Sequence, residues 1–282
     1  MFKIIFSLLL FCDICFADIV RQEIKVPVTV FNSNNKQKVE EDVVVTIIRD
    51  TVFKKAPYLI LNHGRTGTKE ERAKQSFRPY FVNAEYFARK GFVVIMPLRI
   101  GYGNTGGPDV EFSGPCYNKN YQDATKSAVE EIKQVINSVS NLEYIDKSKG
   151  LVVGHSVGGL VSVAFSGEDI TGLKGTVNFA GGNGGDTRDF LRERPCSAQK
   201  LTETFASYGF KSKVPTLWLY SVNDQFWGEK LPKEWFSSFQ KNGGKGRMLM
   251  LPESGGDGHQ VFIDRPNLWK AEFEKFIKEV GL

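Results

Sequence analysis

The feature that most constrains the fold is a strand–turn–helix pattern centred on Ser156. Residues 151–159 read Leu-Val-Val-Gly-His-Ser-Val-Gly-Gly, an apolar run followed by a G-x-S-x-G turn and small residues. A turn this sharp requires glycine two positions before and after the serine, because a Cβ there would clash. The predicted turn, a nucleophile elbow, holds the Ser156 hydroxyl above the end of a strand. It also aims the Val157 amide, at the helix start, toward any negatively charged oxygen formed beside that hydroxyl.

Length and composition allow a sizeable hydrophobic core. The chain has 282 residues, 41% of them hydrophobic, and α/β proteins of this length often form one domain. The formal net charge is +5, but the 37 Lys and Arg residues are dispersed among 32 acidic ones. Because no basic stripe with interleaved aromatic residues is present, we expect a solvated surface and no nucleic-acid partner.

Residues 1–17 have the features of a signal peptide. Lys3 provides the positive end, residues 4–11 form an apolar run, and a small-residue cleavage site precedes Asp18. The apolar run is too short to span a bilayer, and a buried first strand is the alternative. Neither cysteine of this segment follows the small residues of a bacterial lipid-anchor site. We therefore expect export to the periplasm or the medium, without a stable membrane anchor.

Removal of residues 1–17 leaves two cysteines, Cys116 and Cys196. An even number of cysteines in an oxidising compartment is compatible with a disulfide. Two separate buried thiols are the alternative, because sequence spacing does not give the distance between them.

Beyond residue 56, short apolar runs alternate with helical patterns. Unbroken apolar runs predict strands covered on both faces, as in a parallel sheet. Two longer runs, 19–30 and 39–49, alternate polar and apolar residues and predict an antiparallel hairpin at the edge of the same sheet. Further strands are predicted at 58–62, 92–97, 150–153, 176–180, 216–220 and 247–251, and helices at 70–90, 121–140, 157–166, 229–242 and 268–280.

The pattern predicts a single domain over residues 18–282. No repeat, linker or low-complexity tract in the sequence indicates a second one. Residues 181–213 are longer than a simple connection, and we expect a small lid there. The predicted fold class is α/β: a mostly parallel twisted sheet with an antiparallel N-terminal hairpin and helices on both faces.

A serine hydroxyl is a poor nucleophile near neutral pH and needs a base, normally a histidine held by a carboxylate. The chain has three histidines. His155 adjoins Ser156 in the turn, where its side chain cannot easily reach back to the hydroxyl. His63 ends a predicted strand before Gly64, and we expect it to hold the following loop by a hydrogen bond. His259, in a glycine-rich loop after the last predicted strand, is the predicted base.

The carboxylate that orients this histidine is predicted to be Asp224, four residues beyond the strand at 216–220. That position gives the order serine, aspartate, histidine along the chain. Asp257 and Asp264 flank His259 and are the alternatives. Asp257 is only two residues from His259, a spacing that favours a role in the turn itself.

A second amide for the negatively charged oxygen should come from the loop after the strand at 58–62. The glycines at positions 64 and 67 let this backbone approach a substrate closely, and the Arg65 amide is the candidate donor. An ordinary strand-ending turn is the alternative. We expect no metal or organic cofactor, because the three histidines are scattered and lack the spacing of metal ligands.

These motifs resemble those of the α/β-hydrolase superfamily, and in detail those of exported bacterial proteins related to dienelactone hydrolases. The resemblance covers the whole chain after the signal peptide and implies the α/β-hydrolase fold with a triad of Ser156, His259 and Asp224. Dienelactone hydrolases use a cysteine nucleophile where this chain has serine, so lactone hydrolysis is not implied. The motifs that carry the resemblance are residues 62–64, 97–103, 154–159, 217–224 and 257–259.

The resemblance also bears on the two remaining cysteines. It places Cys116 and Cys196 in loops that follow the strands at 92–97 and 176–180, both at the carboxyl edge of the sheet. A disulfide between them would tie the expected lid to the floor of the pocket. We therefore expect this disulfide to form.

The sequence thus predicts an exported serine hydrolase that cleaves small carboxylic esters through an acyl-enzyme. A peptidase, amidase or acyltransferase with the same triad is the alternative. A non-catalytic binding protein is less favoured, because all three residue types of the triad are present. Aromatic residues expected near the mouth of the pocket are Tyr102, Phe112, Tyr117, Phe226 and Trp227, and Arg188, Arg192 and Arg194 lie in the expected lid.

Overall fold

The computed structural model of the protein describes residues 18–186 and 192–282, so the predicted signal peptide and Arg188 lie outside the described residues. Within these two stretches, eight strands form one sheet. Numbered along the chain, they are β1 (Ile19–Phe31), β2 (Lys38–Asp50), β3 (Ala56–Asn62), β4 (Val93–Leu98), β5 (Ile145–His155), β6 (Leu173–Phe179), β7 (Thr216–Ser221) and β8 (Gly246–Leu251).

The spatial order of the strands is β1-β2-β4-β3-β5-β6-β7-β8. β1 and β2 pair antiparallel, as do β2 and β4. Every pairing from β4 and β3 to β7 and β8 is parallel. The predicted fold class is confirmed, since the N-terminal hairpin is the antiparallel edge of an otherwise parallel sheet.

Helices cover both faces of the sheet. In β3, Leu59 belongs to a core cluster with Phe87 and Trp269, whereas Ile60 faces the opposite cluster with Ile132. Successive side chains of a strand point to opposite faces, so apolar residues are needed at every position. The helices are α1 (Lys69–Ala73), α2 (Phe81–Arg89), α3 (Tyr121–Val139), α4 (Val157–Phe165), α5 (Ala198–Lys211), α6 (Lys230–Lys241), α7 (Val261–Asp264) and α8 (Pro266–Glu279), with 3₁₀ helices at Arg78–Tyr80 and Gly258–Gln260.

The single helix expected at residues 70–90 is wrong in detail. The stretch divides into α1, the 3₁₀ helix Arg78–Tyr80 and α2. Pro79 lacks an amide hydrogen, and its ring would clash with the carbonyl four residues earlier in a continuous helix. The proline therefore begins a new helical segment instead of lying inside one.

The stretch 181–213, for which we expect a lid, contains a helix of the core. Leu201 and Phe205 of α5 are fully buried in a cluster with Trp218 and Trp235. Their spacing of four residues puts both on one helical face, a period that the sequence displays. Residues 198–211 therefore belong to the core, and the expected lid stays a prediction. Across the described parts of the chain, no helix has both the length and the apolar character needed to cross a membrane.

Candidate active site

The predicted elbow joins β5 to α4 at the carboxyl edge of the sheet. Ser156 has a φ of 57° and a ψ of −125°, a positive φ that is rare for a residue with a Cβ. A Cβ added to Gly154 would lie 2.0 Å from the carbonyl oxygen of Gly158, and one added to Gly158 would lie 2.5 Å from that of Asn62. The two glycines let the strand end, the helix start and β3 pack closely around the serine.

Three predicted residues meet at this edge. His259 Nε2 lies 3.0 Å from Ser156 Oγ, and His259 Nδ1 lies 3.1 Å from Asp224 Oδ2. The histidine comes from the 3₁₀ helix after β8, and the aspartate from the turn after β7. His259 and Asp224 are buried, at 3% and 2% exposure, whereas Ser156 is partly accessible. The geometry is that of a nucleophile, a base and an orienting carboxylate.

Asp224 is fixed by the turn in which it lies. Its Oδ1 accepts hydrogen bonds from the backbone amides of Phe226, at 2.9 Å, and Trp227, at 3.1 Å. Two amides and the imidazole thus share one carboxylate. The two backbone amides fix the orientation in which the carboxylate faces His259 Nδ1.

The alternative carboxylates have other surroundings. Asp257 Oδ1 accepts the backbone amides of His259, at 2.9 Å, and Gln225, at 3.0 Å. It therefore caps the 3₁₀ helix and shapes the turn, the role that its sequence position favours. Asp264 is exposed at the end of α7.

The other two histidines bond away from the Ser156 hydroxyl. His155 Nε2 lies 2.7 Å from the His259 carbonyl oxygen. His63 Nδ1 lies 2.6 Å from the Gly64 carbonyl oxygen, and His63 Nε2 accepts the Arg99 amide at 3.2 Å. This hydrogen bonding within the loop after β3 matches the role expected for His63.

Burial keeps both of these imidazoles neutral. Desolvation, with a further contribution from the neighbouring His259, lowers the pKa of His155 to about 3. Desolvation and the charge of Arg99 lower the pKa of His63 well below its ordinary value. Neither group gains a proton near neutral pH.

The loop after β3 passes directly over Ser156. A Cβ added to Gly64 would lie 3.1 Å from Ser156 Cβ, so the backbone touches the serine side chain. The Gly64 amide donates to the Tyr80 hydroxyl at 3.2 Å. The Arg65 side chain turns away from the serine and pairs with Asp109 at 2.9 and 2.5 Å.

Sequence reasoning missed a buried ion pair under this loop. Arg99 and Glu111 are 0% and 2% exposed, and Arg99 Nε lies 2.5 Å from Glu111 Oε1. Arg99 Nη1 also donates to the His63 carbonyl at 2.9 Å. An arginine directly after a buried strand, with an acid 12 residues later, was the available signal, since buried charges need partners.

The serine opens into a cleft of about 610 Å³. Phe112, Phe226 and Trp227 contribute apolar walls, while Arg65 and Lys119 are among its polar residues. These three aromatics are therefore at the cleft as expected.

Other residues expected at the mouth lie elsewhere. Tyr102 lies in the loop after β4, where it is fully buried and donates its hydroxyl to Glu111. Tyr117 is 88% exposed. Arg192 and Arg194 are exposed at the start of the second described stretch.

The expected disulfide is present between Cys116 and Cys196. It joins the loop after β4 to the segment ahead of α5. Ser197 reinforces the junction, because its hydroxyl donates to the Cys116 carbonyl at 2.9 Å and accepts the Lys119 amide at 3.3 Å. Tyr121 also donates to the Cys196 carbonyl. Since Lys119 lines the cleft, the covalent link borders the site.

The mostly parallel sheet, with a serine elbow, an aspartate turn and a histidine loop at its carboxyl edge, defines the α/β-hydrolase fold. A model of the dienelactone hydrolase family matches residues 79–255, well over half of the chain. The chain therefore belongs to the dienelactone hydrolase family and is a hydrolase.

Solved structures share this fold at low sequence identity. A Klebsiella pneumoniae protein named as a dienelactone hydrolase superposes with a TM-score of 0.63 at 13% identity, over 93% of this chain and 98% of that one. An esterase of Pyrococcus furiosus gives 0.58 at 16% identity, over 91% and 90%.

A Pyrococcus horikoshii acylaminoacyl peptidase gives a TM-score of 0.57 at 14% identity, over 91% of this chain but only 41% of the peptidase. Most of that enzyme therefore has no counterpart here. No curated protein sequence matches the chain.

Proposed function

We propose that the protein is an exported serine esterase that hydrolyses small carboxylic esters. The observation that carries the proposal is the continuous line of hydrogen bonds from Asp224 through His259 to Ser156 Oγ, opening into the cleft. A serine hydroxyl in contact with a base, itself held by a carboxylate, is the arrangement that nucleophilic acyl transfer requires.

In the proposed reaction, Ser156 Oγ attacks the acyl carbon while His259 Nε2 takes the hydroxyl proton. Asp224 holds Nδ1–H and stabilises the imidazolium. Collapse of the tetrahedral intermediate breaks the ester C–O bond, and the imidazolium returns the proton to the departing alkoxide. Water then attacks the acyl-enzyme with His259 as base, releasing the acid and restoring the Ser156 hydroxyl.

The negatively charged oxygen of the intermediate needs two donors. The Val157 amide is at the first position of α4, where no carbonyl within the helix can pair with it. In the loop after β3, the Gly64 amide is already bonded to the Tyr80 hydroxyl. The next amide, that of Arg65, is the one we assign, and both Val157 and Arg65 line the cleft. Each such donor contributes about 10²- to 10³-fold in rate.

Export is part of the proposal. A disulfide persists in oxidising compartments, and the Cys116–Cys196 bond is present in the structure. Residues 1–17 have the pattern of a signal peptide. Protein recovered from the periplasm or the medium should begin at Asp18. An intact N-terminus in that material would contradict cleavage there.

The activity is tested with p-nitrophenyl acetate, butyrate and octanoate beside the matching p-nitroanilides. The wild-type protein should cleave the short esters faster than the anilides, and Ser156→Ala should lower kcat by about 10⁴-fold or more. Ser113→Ala is the matched control, because it removes another hydroxyl at the cleft. Equal turnover by the wild-type and Ser156→Ala proteins would contradict the proposal. Faster anilide cleavage would indicate an amidase instead.

A further inference from the structure

The base is held by its backbone as well as by its side chain. The His259 amide donates to Asp257 Oδ1 at 2.9 Å, and its Nδ1 lies against Asp224. Its carbonyl oxygen lies 2.7 Å from His155 Nε2. The residue is thus fixed at three points, and only Nε2 remains to face the serine.

The hydrogen bond to the carbonyl sets the tautomer of His155. A carbonyl oxygen can only accept, so the proton of His155 must be on Nε2. A neutral imidazole carries one N–H, and burial keeps His155 neutral by lowering its pKa to about 3. Nδ1 is therefore an acceptor, and the Tyr80 hydroxyl at 3.1 Å donates to it.

The same tyrosine reaches the loop over the nucleophile. Its oxygen accepts the Gly64 amide at 3.2 Å while its hydrogen points to His155. The chain of donors runs one way, from Gly64 through Tyr80 and His155 to the carbonyl of His259. It lies behind Ser156, and His155 is the residue directly before that serine.

Both side chains in this chain of donors are buried. Tyr80 is 4% exposed and His155 is 4% exposed, so water cannot readily replace a lost partner. Phe262 packs against both rings, stacked on His155 and tilted against Tyr80, which limits how far either can shift.

We propose that Tyr80 and His155 are positioning residues, which hold His259 and the loop bearing the Arg65 amide at a fixed distance from Ser156. The inference rests on the proposed esterase function and adds to it. Neither side chain touches the substrate. They act through the backbone of the base and the backbone of the oxyanion loop.

Tyr80→Phe removes one hydroxyl and keeps the ring. It leaves the Gly64 amide and His155 Nδ1 without partners, so we expect kcat to fall about 10-fold while KM changes less than about twofold. His155→Leu should lower kcat about 100-fold. His155→Gln places an amide nitrogen near the position of Nε2, and should recover kcat to within about fivefold of the wild type by donating to His259.

The matched control is Tyr86→Phe in the adjacent helix α2. The Tyr86 hydroxyl donates to Glu274 and has no contact with the site. This variant removes a tyrosine hydroxyl away from the site and should leave kcat unchanged. If His155→Leu does not fold, Tyr80→Phe and His155→Gln carry the test.

Two outcomes overturn the inference: unchanged kcat in Tyr80→Phe, or equal losses of kcat in Tyr80→Phe and Tyr86→Phe. Both outcomes are distinguishable from failure of the proposed esterase function. In that case the Ser156→Ala protein would keep wild-type ester turnover, whatever Tyr80→Phe does.

Discussion

Both carboxylate oxygens of Asp224 lie near His259 Nδ1, but only one of them also accepts backbone amides, and this difference determines what an amide side chain would do there. Oδ1 accepts the backbone amides of Phe226 and Trp227 and lies 3.2 Å from His259 Nδ1, while Oδ2 lies 3.1 Å from the same Nδ1 and accepts neither amide. In an asparagine, the oxygen must stay with the two amides. The NH₂ group then faces Nδ1, and two donors cannot share that contact.

Asp224→Asn should therefore drive the His259 proton onto Nε2. A protonated Nε2 cannot accept the proton of the serine hydroxyl. We expect kcat for a short ester to fall about 10⁴-fold, the size of effect seen when a catalytic histidine is held in the wrong tautomer. Asp264→Asn is the control, because that exposed side chain flanks His259 in sequence alone. Comparable losses in the two variants would contradict the assignment of Asp224.

Glu131 is a second residue whose protonation follows from its surroundings. It is fully buried in α3, and its Oε1 accepts the Ile100 amide at 2.9 Å. Burial and the charge of Glu111, opposed by Arg99, raise its pKa from 4.5 to about 8. The folded protein therefore keeps a proton that the unfolded chain loses above pH 4.5.

Because unfolding releases this proton between about pH 4.5 and 8, the contribution of Glu131 to stability falls as pH rises through that window. Glu131→Gln keeps the acceptor for Ile100 and cannot ionise. The unfolding free energy of the variant, relative to the wild type, should increase by about 1–3 kcal/mol from pH 5 to pH 8. Urea denaturation at the two pH values measures it, and parallel curves would show that Glu131 does not titrate there.

At the scale of elements, the elbow depends on glycines, because a Cβ at these positions would clash with neighbouring backbone. A Cβ on Gly158 would meet the carbonyl oxygens of Asn62 and His63 at 2.5 and 2.6 Å, and backbone cannot move aside as a flexible side chain can. Gly158→Ala should lower the free energy of unfolding by about 3 kcal/mol, at the upper end of the range for overpacking. Gly256 has no atom within 4 Å of an added Cβ, so Gly256→Ala is the control. Equal melting temperatures for the two variants would contradict the packing argument.

The elements that sequence predicts are those whose signal is local. The glycines around Ser156 and the unbroken apolar run of β3 each depend on neighbouring residues, and both are found as expected. The signal for the helix break, Pro79, was also local, but the apolar spacing on both sides of it favoured a single continuous helix. β5 begins at Ile145, earlier than expected, and the prediction missed this start because the four residues after Ile145 are polar and interrupt the apolar run.

What sequence could not provide are contacts between distant segments. Tyr80 and His155 are 75 residues apart, and His155 and the His259 carbonyl are 104 apart. No periodicity encodes such pairings, since they arise when the elbow, the 3₁₀ helix ahead of α2 and the loop after β8 pack together. The predicted order of serine, aspartate and histidine came from the motif order of the fold, and the carboxyl ends of parallel strands bring these three positions to one edge.

At the scale of the whole molecule, the disulfide joins two parts of the carboxyl edge that are distant in sequence. Cys116 and Cys196 are separated by 80 residues, for which chain-entropy estimates give about 4 kcal/mol of stabilisation. The double variant Cys116→Ala, Cys196→Ala should lose about that amount in unfolding free energy. Reductant should destabilise the wild type and leave the double variant unchanged. Two alkylatable thiols in native exported protein would contradict the bond.

The central claim, that Ser156 is a nucleophile activated by His259, is tested most directly with a fluorophosphonate probe and peptide mapping by mass spectrometry. We expect one adduct on native protein, located at Ser156, and none on Ser156→Ala or on protein denatured before labelling. His259→Ala should label at least about 100-fold more slowly, because the base is missing. Absence of an adduct on native protein, or an adduct at a different serine, would contradict the account.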